Sequence, residues 1–192
     1  MNSDLWIGSK LKPEIHKVLL KETRKLTSKL KGSVVLDIVL TGSQTSPDMY
    51  TNLSDIDIHL IMRNSEKYIN QIREYNNSND ISVSGIRVEF YPEEKGVSVP
   101  VCQGRYSLKT GRWIQKPCYN KVPVDSSLEY QIKLRHFIDK IINTPDNPRM
   151  KLRLKKQLKV MRSEGLKSDR GVYSTGNAVY KTLRNLGYLS SL

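Results

Sequence analysis

Cysteine is scarce in this chain of 192 residues: Cys102 and Cys118 are the only two, neither in a Cys-x-x-Cys pair nor beside paired histidines. That argues against a structural zinc site and against a disulfide, and makes a reducing compartment the default. Long apolar runs are missing too. None approaches the roughly 20 residues needed to span a bilayer, and a mean hydropathy of −0.51 with 38% hydrophobic residues fits a soluble protein. The opening MNSDLWIGSKLKPE lacks a charged start followed by an apolar stretch, so no secretory signal is expected and the localisation reads as cytoplasmic. Internal repeats and low-complexity segments are absent as well.

Acidic residues are short in one half only. Residues 1–96 hold 13 Lys+Arg and 13 Asp+Glu, whereas residues 97–192 hold 19 and 6, which accounts for the whole net charge of +13. A surplus of one sign in one half points to a polyanionic partner, nucleic acid first and a membrane surface second. A solvated lysine-rich helix face explains the same surplus.

The chain is organised around Val34 to Met62. Val34 to Leu40 reads as a buried strand with Asp37 its one polar intruder, ending in Thr41-Gly42-Ser43. A polar loop from Gln44 to Ser54 follows, with room for a short helical turn, and then a second strand, Ile56 to Met62. Alternation puts Asp55, Asp57 and His59 on one face and Ile56, Ile58 and Leu60 on the other. Carboxylates side by side repel unless a positive partner, usually a divalent metal, sits between them.

Around this stretch the spacing predicts a helix from Pro13, with Leu11, Ile15, Leu19, Leu26 and Leu30 on its apolar face and Gly32 as its stop. A short helix follows Ser65, and Ile81 to Tyr91 reads as a third strand ended by Pro92, carrying Arg87 and Glu89 on one face. Val97 to Val101 and a hairpin of 104–109 with 112–116 extend the β-rich stretch. Its Arg105, Tyr106, Arg112 and Trp113 suit either stacking on bases or a core. Beyond Pro123 the chain reads as helical. Ser126-x-x-Glu129 has the form of a capping box, and NTPDNP (143–148) makes a hinge. A helix from Arg149 to Glu164 then buries Met150, Leu154, Leu158 and Met161, with Lys151, Lys155, Lys159 and Arg162 on another face. A last helix from Ser174 uses Val179, Leu183 and Leu186 and stops at Gly187. The expected architecture is α/β (α+β), a mixed sheet flanked by helices over residues 1–122, followed by a basic helical region over 123–192.

An apolar strand ending in Gly42-Ser43, an eleven-residue loop, Asp55-Ile56-Asp57 and a later strand with Glu89 together resemble the nucleotidyltransferase superfamily, the fold family of polymerase beta, the CCA-adding enzymes, the antibiotic nucleotidyltransferases and the minimal nucleotidyltransferases. The resemblance covers Val34 to Tyr91. The ending GVYSTGNAVYKTLRNLGYL resembles small phage-encoded members, for which the compartment would be the host cytoplasm. The resemblance implies that Asp55, Asp57 and Glu89 hold two Mg²⁺ ions and that Gly42 and Ser43 cradle the phosphates of an NTP. It also implies transfer of an NMP group to a hydroxyl acceptor, RNA among them, with release of pyrophosphate. Glu93 and Glu94 remain alternatives for the third acid. Lys151, Lys155, Lys159 and Arg162 would grip RNA or another polyanion. The other reading is a non-catalytic nucleic-acid-binding protein on the same scaffold. His59 and His136 are expected to be packed or hydrogen-bonded neighbours.

Overall fold

Alternating side chains along β4 (Ile56–Met62) explain the sheet. Ile56, Ile58, Leu60 and Met62 are fully buried, while Asp57, His59 and Ile61 between them are half-exposed. The computed structural model describes residues 2–46, 54–97, 103–117 and 127–192. β4 is central in a six-stranded sheet of order β5-β6-β4-β3-β7-β8, with β3 (Val35–Thr41), β5 (Ser82–Val83), β6 (Ile86–Glu94), β7 (Arg105–Ser107) and β8 (Arg112–Gln115). β4 runs parallel to β6 and antiparallel to β3, so the sheet is mixed. The apolar face joins one core with α1 (Pro13–Thr27) and α2 (Ile69–Ser78) through Ile15, Leu19, Leu26, Ile72 and Tyr75. The α/β class read from the element order is the class of the fold.

Several local expectations change. The 81–91 segment is a hairpin: Ser84 (φ 52°) and Gly85 (φ 74°) turn the chain between β5 and β6. A Ser-Gly pair tolerates the two positive φ angles such a turn needs. Pro92 does not end β6. Phe90 directs its N–H and C=O to the outer edge, where Asn76 Oδ1 accepts from the N–H (3.1 Å) and Asn76 Nδ2 donates to the C=O (2.8 Å). Pro92, two residues on, has the same phase, so its missing N–H falls on an edge where no ladder bond is lost. α1 ends at Thr27, short of Gly32. Upstream, β1 (Trp6–Ile7) and β2 (Lys10–Leu11) form a small hairpin that periodicity did not reveal. Trp6 stacks on Trp113 at 5.1 Å, and both meet Tyr106 edge-on, so these aromatics are core rather than a base-binding platform. Of the expected strand over 97–101, all but Val97 lies outside the described residues, and Val97 is in no strand.

The second compact unit, described over residues 127–192, holds α3 (Leu128–Ile142), α4 (Pro148–Lys167) and α5 (Thr175–Asn185) around Tyr130, Ile141, Leu154, Leu158, Val179 and Leu183. Each helix starts on a side-chain cap: Ser127 Oγ accepts from Tyr130 N–H, Asn147 Oδ1 from Arg149 N–H, and Ser174 Oγ from Asn177 N–H. The first cap is thus Ser127; Ser126 and the boundary expected at 122–123 lie outside the described residues. α4 and α5 cross at Gly176, where a Cβ would lie 2.6 Å from the Met161 carbonyl oxygen. Met150 and Leu186, expected inside, are 48% and 61% exposed. Among the described residues no helix is long and apolar enough to cross a membrane.

Asn76 is the residue on which the edge of β6 depends. Asn76→Ala leaves the N–H and C=O of the buried Phe90 without partners, and a loss of about 2 kcal/mol is expected in urea unfolding.

Candidate active site

Register brings the acids together. Thr41 of β3 pairs with Asp57 of β4, and Asp57 pairs with Glu89 of β6, so the three stand at one level on adjacent strands. The next level along the same face is Val39, His59 and Tyr91, and the one after is Asp37, Ile61 and Glu93. Period-two alternation makes this face polar while the opposite one closes the core. Asp55 is half-exposed, immediately ahead of β4.

Gly42 closes one end of the top level. Its φ of +77° suits glycine, and a Cβ there would fall 2.0 Å from Asp57 Oδ2. The turn it begins, Gly42–Thr45, is a short 3₁₀ helix. Thr41 and Thr45 both donate their hydroxyls to the Gly104 carbonyl oxygen (2.9 Å each), and Thr45 and Ser46 donate to the Gly42 carbonyl. Gln44 is fully buried, accepting from Asn2 Nδ2 and donating to the Ser54 carbonyl, while Trp6 Nε1 donates to the Gln44 carbonyl. The turn is held from three directions, and Ser43 lies within it, 8% exposed.

Three acids lie close together on β6, and their partners separate them. Glu94 accepts the Ser65 and Asn64 N–H groups at the entry to the α2 segment (2.8 and 3.2 Å), and those bonds hold its carboxyl below the ordinary value. Glu93 accepts from His59 Nδ1 (2.6 Å) and from both Arg105 guanidinium ends (3.1 and 2.7 Å). Burial alone would raise the Glu93 pKa, but the His59 and Arg105 hydrogen bonds and charges outweigh it and the net shift is downward. Glu89 is the acid beside Asp57. It accepts from the Tyr91 hydroxyl and pairs with Arg87 at 3.3 Å, with the arginine half-exposed. Burial, the bond to Glu89 and the charges of Asp57, Glu89 and Asp55 push the Tyr91 phenol far above its usual range. All three carboxylates therefore act on one hydroxyl.

Hard carboxylate oxygens on adjacent strands are the donor type that Mg²⁺ takes, and the close fit of Gly42 against Asp57 keeps backbone near them. Among the described residues, no group of three or more His, Cys, Asp or Glu side chains is already gathered as a metal site. His59 and Arg87 were expected on this face, whereas Tyr91, Thr41 and the Glu93–Arg105 pair were missed as parts of it. Tyr91 had a signal, since it sits two residues from Glu89 and so shares its side of the strand.

In the second unit, Lys151, Lys155, Lys159 and Arg162 all belong to α4. Lys151 Nζ pairs with Asp146 at 2.8 Å and the Arg162 guanidinium lies over the Tyr180 ring at 5.0 Å, while Lys155 is half-buried and Lys159 exposed. His136 packs edge-on to Phe137.

Two outcomes follow from this geometry. Gly42→Ala forces a strained positive φ and drives a methyl into Asp57, so a loss of about 1–3 kcal/mol is expected in thermal unfolding. The depressed Glu93 pKa means its network stabilises the fold fully above its ordinary value of 4.5 and loses that contribution as pH falls through the lower folded value. Melting temperatures of the wild type and Glu93→Gln should accordingly converge as the pH drops below 4.5.

No protein-family model and no curated protein matches the chain. Among solved structures, it is similar to the STING-associated CdnE c-di-GMP synthase from Capnocytophaga granulosa at 12% identity and a TM-score of 0.27, the match covering 95% of this chain and 83% of that chain. A likeness of that depth assigns neither family nor activity.

Proposed function

We propose that this protein is a nucleotidyltransferase, moving an NMP group from an NTP to a hydroxyl acceptor. The observation that carries the proposal is the level formed by Thr41, Asp57 and Glu89 across three adjacent strands, with the Gly42 turn set against Asp57. Asp55, Asp57 and Glu89 would hold Mg²⁺, two ions by the family resemblance, which when bound would neutralise the triphosphate and lower the pKa of the acceptor hydroxyl.

The chain's own groups have separate parts. Gly42 lets backbone approach the phosphates, and Ser43 offers a hydroxyl and an amide N–H to them. The acceptor oxygen attacks the α-phosphorus, the bond to the bridging oxygen breaks, and pyrophosphate leaves on the opposite side. Glu89 is drawn from Arg87 and Tyr91; the half-exposed arginine pair costs little to open. Positioning and charge neutralisation would supply the rate, with no covalent intermediate. Lys151, Lys155, Lys159 and Arg162 would supply phosphate contacts to an RNA acceptor.

The second reading, a non-catalytic nucleic-acid-binding protein, draws on the prior engagement of Glu89 by Arg87 and Tyr91. Incubation with labelled NTPs, Mg²⁺ and a panel of hydroxyl acceptors separates the two. Transfer by the wild type that falls to background in Asp57→Ala, with the fold intact by circular dichroism, is the expected result. RNA binding that is salt-sensitive and indifferent both to Mg²⁺ and to Asp55→Ala with Asp57→Ala, without any transfer, supports the second reading.

A further inference from the structure

On the same face as the acids, at the opposite end of the strands from Gly42, lies an open hollow of about 290 Å³. It is reached along β4 by passing from Asp57 over His59 to Ile61, four residues or about 13 Å at roughly 3.3 Å per residue. Val39 and Ile61 form its apolar floor, and Ile114 of β8 stands at its rim, 56% exposed although it is a large aliphatic side chain. Asp37, Gln115 and the Arg105–Glu93 pair supply its polar edge.

Arg105 and Glu93 neutralise each other in this hollow, and Asp37 adds a further carboxylate. Arg105 and Glu93 have side chains only 8% and 12% exposed and are paired at 2.7 Å, with His59 on the other carboxylate oxygen. A buried guanidinium already neutralised by a carboxylate is a poor anchor for a phosphate and a good polar wall for an uncharged ligand. Asp37 Oδ1 is taken by the Ser107 hydroxyl and the Ile38 N–H, whereas among the described residues Oδ2 takes no hydrogen bond. An apolar floor, an aliphatic rim and a carboxylate oxygen at the edge suit a flat heterocycle with N–H donors on its margin. The volume is at the small end of ligand pockets, about 300 Å³ and upward, and holds one such ring system.

Direction assigns the hollow to one of the two substrates, on the reading that this face performs nucleotidyl transfer. In-line displacement puts the attacking oxygen and the leaving group on opposite sides of the phosphorus. With pyrophosphate leaving towards Gly42 and Ser43, the acceptor approaches from the other end of the strands, which is where the hollow lies. We propose that the hollow bounded by Asp37, Val39, Ile61, Arg105 and Ile114 binds the base of a nucleoside acceptor, whose sugar lies over His59 and Tyr91 and turns a hydroxyl towards Asp57 and Glu89. The nucleoside is either a free one or the 3′-terminal residue of an RNA strand; the chemistry recognised is the same.

Binding is read without NTP or Mg²⁺, so the outcome does not depend on whether transfer occurs. Full-length protein with ¹³C-labelled isoleucine methyls is titrated with adenosine, guanosine, cytidine and uridine, neutral probes with no affinity for the basic helices. The methyl signals of Ile61 and Ile114 should shift, while those of Ile132 and Ile142 in the helical unit should not. Ile114→Glu places a charge against the apolar rim and should raise the dissociation constant about tenfold or more. Ile114→Trp, which fills the hollow without a charge, should do the same, and Ile114 is exposed enough for either variant to spare the fold. An RNA oligonucleotide with a free 3′ nucleoside should compete with the probe if the source is RNA, and one with a bulky 3′ cap should not. Competition by mononucleosides alone identifies a free nucleoside. Failure of all four nucleosides to move Ile61 and Ile114, or binding unchanged in both Ile114 variants, overturns the proposal.

Discussion

Asp57 and Glu89 sit side by side on two parallel strands, and most of the described sheet follows from holding them there. Two carboxylates at neighbouring positions repel unless something offsets the charge. On the Glu89 side the offset includes a hydroxyl from Tyr91 and the guanidinium of Arg87. Gly42 brings backbone against Asp57, because it leaves no side chain in the way. The strands fix the pair in place.

The rigidity behind that pair comes from the other face. Ile56, Ile58, Leu60, Met62, Val88 and Phe90 are essentially excluded from water and packed under α1 and α2. A strand with one face closed in this way cannot slip by a residue without turning its apolar side chains to solvent and its acids into the core. The turn at Gly42 is similarly constrained, by Gly104, Asn2 and Trp6, all distant in sequence. Much of the hydrogen bonding around the candidate site therefore serves position rather than chemistry.

A second network, His59 one level away and Glu93 two levels away with Arg105, lies on the same face and has a different character. There a buried carboxylate is satisfied by two donors and the charges close on themselves. The network spans β6, β4 and β7, and Asp37, level with Ile61 and Glu93, adds a carboxylate beside the closed pair.

The residues alone determined the periodic features: a strand ending at Thr41, though Val34 is exposed and only its second half is buried, the alternation that puts Asp57 and His59 opposite Ile56 and Ile58, the helix from Pro13, and the helical character of the C-terminal part. These depend on contacts within a few residues, which spacing records directly. Which of Glu89, Glu93 and Glu94 faces Asp57 was beyond spacing, because three acids in six positions satisfy the same pattern and only the register against β4 separates them. The Ser84-Gly85 turn was signalled both by the dipeptide and by a phase shift in the apolar alternation, from 81 and 83 to 86, 88 and 90, that reading 81–91 as one strand passed over. Tyr106 and Trp113 suited either stacking on bases or a core until Trp6, about a hundred positions away, met them in one cluster. Local sequence thus decided which elements form and which face of each is apolar, since those are short-range properties of a backbone with fixed period. Tertiary structure decided which polar groups share a level on the sheet, since that depends on strand order and register set by the whole core.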